Sequence, residues 1–362
     1  MPITNILSTF NVTFAKVTNR FTFLNSIHKI LIEMSSTLYP LKFEPILKER
    51  IWGGKRLETV LSKKLPDSDK KYGESWEVSG VAEENSIVRN GFLAGNTLNE
   101  LVEVYMGDLV GEEIYERFGD EFPLLVKLID ASETLSIQVH PNDDVAEERH
   151  HAYGKTEMWY ILDAEPNSKI YTGFKDTITK EDYLKALEDG KIDELLHVET
   201  PKKDDVFFIP AGRVHAIGKG VLLAEIQQTS DVTYRIFDWN RVDSQGKSRE
   251  LHTNLAIDVV DFNKVEQPKF SVKAEINKTQ ELISCQYFTV NRIKFQNPLQ
   301  RDYNLLDSFI IFLCLEGSCS IIYGSGKSEQ IAKGETVLLP TELKDIILKP
   351  NGTCSLLETY IR

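Results

Sequence analysis

The sequence predicts a mainly β protein made of two small barrels, with short helical insertions in the first. Three observations carry that prediction. Candidate metal-binding side chains lie on several separate strand-like runs, and they converge only if antiparallel strands curl into a barrel. From Tyr39 onward the chain is largely short apolar runs broken by Gly and Pro turns. Part of the text also occurs twice. Asp205-Val206-Phe207-Phe208-Ile209-Pro210 is matched by Glu335-Thr336-Val337-Leu338-Leu339-Pro340, and His215 and Asp345 each stand five residues past the proline.

The elements follow in order. Strands are expected at Leu41–Leu47, around Trp52-Gly53-Gly54 and at Glu74–Ser79. Asn96-Thr97 caps a helix in which Leu98, Leu101, Val102 and Tyr105 recur at helical spacing, and Glu113–Phe118 continues the helical character. Pro123 to Val139 reads as two strands split by a turn near Asp130–Thr134. A second helical insertion starts at Thr179, with Glu181 and Asp182 in the first turn, where the helix dipole favours anions. A short helix over Ile192–Leu196 follows. Strands resume at Asp205–Pro210, Val221–Gln227 and Thr233–Phe237. The segment Val260–Lys269, of mixed charge and containing Pro268, reads as a linker to an all-strand tail. The expected division is an N-terminal extension over 1–33, a metal-binding barrel with helical insertions over 34–262, and a degenerate barrel without metal over 263–362. Asp345 is read as the tail's counterpart of His215.

The first 33 residues carry Lys16, Arg20 and Lys29 and no acid before Glu33. Their apolar stretches are short and interrupted, and no small-residue cleavage site is clear. A translation start at Met34 is therefore favoured over a targeting peptide.

A formal net charge of −13 over 362 residues argues against nucleic acid and anionic membranes as partners, and no run approaches transmembrane length. An anionic small substrate is still allowed, because a few cations in a cleft reverse the local field. Cys285, Cys314, Cys319 and Cys354 form no Cys-x-x-Cys pair. They read as reduced, mostly buried thiols of a cytoplasmic protein.

The chemistry concentrates in a split set: Gln138 and His140 in Gln138-Val139-His140-Pro141, Glu157 in Lys155-Thr156-Glu157-Met158-Trp159-Tyr160, and His215 after Pro210-Ala211-Gly212. The i, i+2 spacing puts Gln138 and His140 on one strand face. A lone strand histidine is ordinarily just packed, but here two stand in motifs and Glu157 completes a donor set. On chemistry alone Gln138 is equally a packed amide. Lys155 shares the face of Glu157 and points with it into the cavity, and Lys127 and Arg235 lie in apolar strand text, where an idle charge is costly. His150 and His151 are expected on an exposed loop, and His197 and His252 on solvated surface. Asp204, Asp205, Lys202 and Lys203 read as turn residues.

Pro-x-Gly-x-x-His after an acidic apolar strand, with an upstream histidine and glutamate, resembles the cupin superfamily of jelly-roll barrels. Pro123–Leu128, Leu135-Ser136-Ile137-Gln138-Val139-His140-Pro141, Lys155–Trp159, Glu225, Ser230-Asp231 and Tyr234-Arg235 narrow the resemblance to type I mannose-6-phosphate isomerases. It spans Tyr39 to Phe262. Gly73-Glu74-Ser75-Trp76-Glu77 and Tyr234-Arg235-Ile236-Phe237-Asp238 are similar to the shorter, bacterial-type branch, which lacks a larger helical domain. The resemblance implies Gln138, His140, Glu157 and His215 as metal ligands. It implies Lys127, Ser136, Lys155 and Arg235 as substrate contacts, and Arg241 at a basic position that is usually lysine in the longer branch. Guanidinium and ammonium groups are not interchangeable there.

The implied reaction interconverts mannose 6-phosphate and fructose 6-phosphate through a cis-enediolate. Arg235 and Lys155 are the catalytic candidates, with Lys127, Ser136, Glu225 and Arg241 binding substrate. The base is Lys155 with a depressed pKa, a metal-bound hydroxide, or a water held by Glu225. The donors suit Zn²⁺, one ion per chain, with Fe²⁺, Mn²⁺ and Co²⁺ compatible. Fe(II) cupin dioxygenases share two histidines and a carboxylate, and a metal-free tail suits a non-catalytic sugar-phosphate-binding cupin. The basic residues favour a phosphorylated sugar over a neutral aromatic substrate, and no basic patch or DNA-reading helix supports a regulator. The tail is expected either to cover apolar surface of the first barrel or to join copies of the chain into a homo-oligomer.

Overall fold

The computed structural model describes residues 38–242 and 246–362. The expectations for residues 1–33 and for a start at Met34 lie outside the described residues. All contacts below fall within the unit Tyr39–Arg362.

Twelve strands build a first pair of sheets. In chain order they are β1 Ile46–Gly54, β2 Tyr72–Val78, β3 Leu124–Ala131, β4 Ile137–Val139, β5 Glu157–Ala164 and β6 Ile170–Phe174, then β7 Leu196–Glu199, β8 Asp205–Ile209, β9 His215–Ile217, β10 Val221–Gln228, β11 Tyr234–Phe237 and β12 Phe270–Ser271. One sheet runs β1-β2-β3-β10-β5-β8-β12 and the other β11-β4-β9-β6-β7, with antiparallel pairing throughout. The expected strand at Leu41–Leu47 is only partly formed: Leu41 and Phe43 make isolated bridges before β1 begins.

The period of two decides what each strand buries. Ile129, Ala131, Trp159, Ile161, Phe207, Ile209 and Leu223 from the larger sheet meet Ile170 and Ile217 from the smaller, so a core lies between them. Each fully buried Ile, Leu or Phe among them contributes about 1.5–3 kcal/mol. On the smaller sheet the alternate residues Ile137, Val139, Ala216, Tyr234 and Ile236 face outward into a second cluster with Tyr183. Tyr183 lies on helix Lys180–Glu188, which Thr179 starts with a capping box to Asp182. Gln138, His215 and Arg235 are the residues in between, so they face inward.

Nine more strands follow: β13 Lys278–Ser284, β14 Thr289–Phe295, β15 Leu299–Asp302, β16 Ile310–Glu316, β17 Ser318–Tyr323, β18 Lys327–Ala332, β19 Thr336–Leu339, β20 Asp345–Pro350 and β21 Cys354–Tyr360. They form sheets β13-β14-β21-β16-β19 and β15-β20-β17-β18. That order repeats β2-β3-β10-β5-β8 and β4-β9-β6-β7 of the first pair. The backs of the two large sheets are buried as well, and Arg292 of β14 donates to the Tyr160 hydroxyl of β5 at 3.1 Å.

Three expectations change. Asp345 is exposed, and Ile346 takes the inward place in the core. Arg301 pairs with Ile346 as Gln138 pairs with His215. The turn after Pro340 thus holds one residue more than the turn after Pro210, and a one-residue slip reverses the face. Secondly, His150 ends a helix, Asp143–His150, capped by the Asn142 side chain, and does not lie on a loop; both His150 and His151 are exposed as expected, and His150 bonds to the Tyr234 hydroxyl. Thirdly, the segment read as a linker is strapped down at its start. Val260 joins the outer cluster, and Phe262 stacks on Phe174 with ring centroids 6.3 Å apart.

Candidate metal centre and active site

Three strands of the first sheet pair aim the donor set at one point. His140 follows β4, Glu157 opens β5 and His215 opens β9. The turn Pro210-Ala211-Gly212 delivers His215, and Gly212 holds a positive φ of 87° that other residues rarely adopt. One donor atom from each of His140, Glu157 and His215 lies within 4.8 Å of the others, and all three residues are buried. His215 Nε2 is 3.2 Å from Glu157 Oε1, and His140 Nε2 is 3.7 Å from Oε2. The Gln138 amide reaches the same point, 3.3 Å from His215 Nε2, and a half-turn of the amide presents its oxygen instead.

The chemistry of these donors fits a cation. His140 Nδ1 bonds to the Val232 carbonyl at 2.9 Å and His215 Nδ1 to the Arg213 carbonyl at 2.8 Å. Those bonds place each ring proton on Nδ1 and leave the Nε2 lone pair aimed inward, the tautomer a metal requires. Burial pushes His215 down to about 3 and His140 well below its usual range, so both rings stay neutral. Both Glu157 oxygens are buried without a directed hydrogen bond. Burial, then Glu225, raises its pKa, against the pull of Lys155. Donor atoms 3.2 and 3.7 Å apart, with none more than 4.8 Å from another, could share one small cation.

A cavity of about 780 Å³ opens above this centre, with Lys127, Ser136, Gln138, Lys155, Glu225, Arg235 and Arg249 in its walls. Cross-strand register explains the inner wall: Glu225 of β10 stands opposite Lys127 of β3 and Trp159 of β5. Glu225 accepts from Lys127 Nζ at 3.1 Å and from Trp159 Nε1 at 2.8 Å. Burial acts to raise its pKa, but Lys127 and Lys155 outweigh burial and keep it a carboxylate. Lys155 Nζ is 3.2 Å from Glu157 Oε2 and 3.2 Å from His140 Nε2. Burial alone would lower its pKa, yet Glu157 and Glu225 raise it. In the metal-free centre these charges hold Lys155 as an ammonium and do not produce the depressed pKa of a lysine base. Arg235 donates through Nη1 to the Glu250 carbonyl at 2.8 Å, while its buried Nε has no partner.

Arg241 does not line the cavity. It donates to the Thr134 carbonyl and pairs with Asp238. Asp238 also takes two bonds from Arg249, at 2.7 and 2.6 Å, and Arg249 is the residue that reaches the wall. Arg249 sits in polar loop text without periodicity, so no sequence pattern marks it, and none gives Trp76 a role. Lys48 Nζ stands 4.7 Å and Lys127 Nζ 4.9 Å from the Trp76 ring centroid, so both make cation–π contacts with it. Of the remaining histidines, His197 pairs with Glu199, and His252 accepts the Arg235 backbone N–H through Nδ1. His252 is thus tied to the strand that carries Arg235.

Fold and centre together define a cupin-like β protein with a buried histidine–carboxylate site beneath a cation-lined cavity. The mannose-6-phosphate isomerase ManA of Bacillus subtilis (strain 168) is 37% identical over 329 residues, which cover 88% of this chain and 98% of that one. The chain belongs to the type I phosphomannose isomerase family. Residues 40–185 match the description "Phosphomannose isomerase type I, catalytic domain" and residues 277–361 match "Mannose-6-phosphate isomerase, cupin domain". The mannose-6-phosphate isomerase of Streptococcus mutans serotype c is 33% identical over 313 residues, covering 84% of this chain and 93% of that one. The crystal structure of the mannose 6-phosphate isomerase from Bacillus subtilis aligns with a TM-score of 0.78 at 33% identity, over 90% of this chain and 100% of that chain.

Proposed function

We propose that this chain interconverts mannose 6-phosphate and fructose 6-phosphate at the cavity above His140, Glu157 and His215. One observation carries the residue assignments: two buried imidazoles and a buried carboxylate converge against a cavity wall that holds several cations. Family membership carries the reaction. In it the C2 hydrogen leaves as a proton, C1 and C2 become doubly bonded, and a proton is returned to C1. The O2 hydrogen passes to O1 as O2 becomes the carbonyl.

Gln138, His140, Glu157 and His215 would hold Zn²⁺, whose Lewis acidity polarises sugar oxygens when bound. Arg235, always charged and with a free Nε, faces the oxyanion that develops in the enediolate. Lys155, as an ammonium, donates a proton or a hydrogen bond to a sugar oxygen. Glu225, held ionised by Lys127 and Lys155, is the carboxylate suited to take the carbon-bound proton, directly or through one water. Lys127, Ser136 and Arg249 supply donors to the phosphate and hydroxyl oxygens. Arg241 acts from behind, holding the Asp238 that orients Arg249.

The described residues of 34–262 then form the catalytic barrel, and 263–362 form a degenerate copy that holds no metal. Register supports this reading: Ile310 stands where Glu157 does and Ile346 where His215 does. The four free thiols favour a reducing compartment, the cytoplasm. Among the described residues no helix is long and apolar enough to cross a membrane.

The test is a coupled assay for fructose 6-phosphate formed from mannose 6-phosphate, with and without chelator. Activity that chelation abolishes and added Zn²⁺ restores is expected. Folded, zinc-loaded protein without turnover would overturn the proposal.

A further inference from the structure

We infer that Tyr287, in the β13–β14 turn, is a positioning residue for Lys155 and acts through Asp143. The inference rests on the isomerase reading of the cavity and deepens it, because it gives the C-terminal region a part in the chemistry.

Lys155 is the middle residue of a short connection, Gly154-Lys155-Thr156, that leads into β5. Each of its three backbone N–H groups is held. Gly154 N donates to Asp143 Oδ1 at 2.9 Å, Lys155 N to the Pro141 carbonyl at 3.1 Å, and Thr156 N to Gln228 Oε1 at 2.9 Å. Gln228 and Asp143 are themselves joined, since Gln228 Nε2 donates to Asp143 Oδ1 at 2.8 Å. One carboxylate oxygen therefore gathers both sides of the connection. The other oxygen, Oδ2, accepts from the Tyr287 hydroxyl at 3.0 Å. Tyr287 comes from the second set of sheets and is 144 residues away in sequence.

The connection has no slack. A Cβ at Gly154 would sit 2.6 Å from backbone atoms of Asn142 and Asp143, so the chain passes against the start of helix Asp143–His150. Lys155 Nζ in turn sits 3.2 Å from Glu157 Oε2 and 3.2 Å from His140 Nε2. A rotation of the Asp143 carboxylate would be felt at that ammonium, because backbone and side chain of Lys155 are fixed from both ends. Tyr287 supplies the bond that fixes the rotation. The turn that presents it, Cys285 to Phe288, is closed by the Cys285 N–H to the Phe288 carbonyl at 3.0 Å.

The experiment is a double-mutant cycle on the zinc-loaded full chain with Tyr287→Phe, Asp143→Ala and the pair. Each single change is expected to lower kcat by about 10- to 100-fold, the scale of losing a residue that orients a functional group, with KM and zinc content unchanged. The double variant should be no slower than the worse single, because both changes release the same constraint. Losses that multiply, or a Tyr287→Phe enzyme with wild-type kcat, would overturn the inference. A second readout does not depend on turnover. Amide hydrogen exchange at Gly154, Lys155 and Thr156 should quicken in Tyr287→Phe while exchange in β10 stays as it was. Unchanged exchange at all three would overturn it too. An inactive wild type with quickened exchange in the variant would instead fault the isomerase reading and leave the positioning intact.

Discussion

Arg301 occupies, against Ile346, the register position that Gln138 occupies against His215. Two residues on, Tyr303 matches His140. Glu358 on β21 faces Asn291 and Phe312 as Glu225 on β10 faces Lys127 and Trp159. Where the first sheet pair gathers donors for a cation, the second supplies its own: the Arg301 guanidinium grips Glu358 with bonds of 2.7 and 2.9 Å. Asn291 adds a third bond at 2.9 Å. The second interior is thereby closed with a fixed charge and needs no ligand.

That pairing has a measurable consequence. Glu358 is fully buried, so removing Arg301 leaves a carboxylate with only neutral partners. Arg301→Ala is expected to cost about 3–5 kcal/mol, the usual penalty for breaking a buried pair from one side. Urea denaturation reads the loss. Glu358→Gln together with Arg301→Met should recover much of it, since the uncompensated charge is gone. A double variant no more stable than Arg301→Ala would contradict this account.

His215→Ala should lose metal and activity together. The ring supplies one of three charged or imidazole donors, and alanine leaves a buried gap that no neighbour fills. Metal analysis after dialysis, beside the coupled assay, checks it; a variant with full zinc stoichiometry would remove His215 from the ligand set.

Arg235→Ala separates catalysis from binding of the ion. Arg235 touches none of the three donors, so zinc content should match the wild type. Its loss removes a cation from the cavity wall, and kcat should fall by about 10²–10³, the scale for losing one oxyanion donor. Unchanged turnover would strike it from the catalytic residues.

These assignments show how far the sequence reaches. Thr97 and Thr179 announce their helices because a capping threonine with Glu100 or Asp182 three residues on is a local signal, and both capping boxes form. The donor set was legible for a similar reason: i, i+2 spacing and a Pro-x-Gly turn fix directions without tertiary knowledge. Helix Asp143–His150 was not legible, because Ala146 is its one buried residue and an apolar stripe is absent. Asp345 misled because the repeat fixes strand text, while the face depends on a turn one residue longer. Arg249 and Arg241 trade places at the wall through Asp238, a contact that spans loops and leaves no pattern in the chain. The charge state of Lys155 depends on Glu157 and Glu225, and Glu225 comes from a distant strand.

Acid sensitivity follows from the buried imidazoles. An unfolded histidine titrates at about 6.5, whereas burial holds His215 at about 3 in the folded protein and shifts His140 the same way. Between those values the unfolded chain binds protons that the folded chain refuses. The two imidazoles therefore give metal-free protein stability that is full above about pH 6.5 and declines as pH falls toward about 3. Glu157, raised to about 7, opposes them with one proton between about pH 7 and its unfolded value of about 4.3. A bound cation adds to the effect, since protons compete with it for Nε2. Because two imidazoles outweigh one carboxylate, chelator-treated protein should show a falling Tm from about pH 6 to about pH 4, and His215→Gln, which leaves one imidazole against Glu157, should flatten that slope. Parallel slopes in the two proteins would mean that His215 is not the buried neutral ring described here.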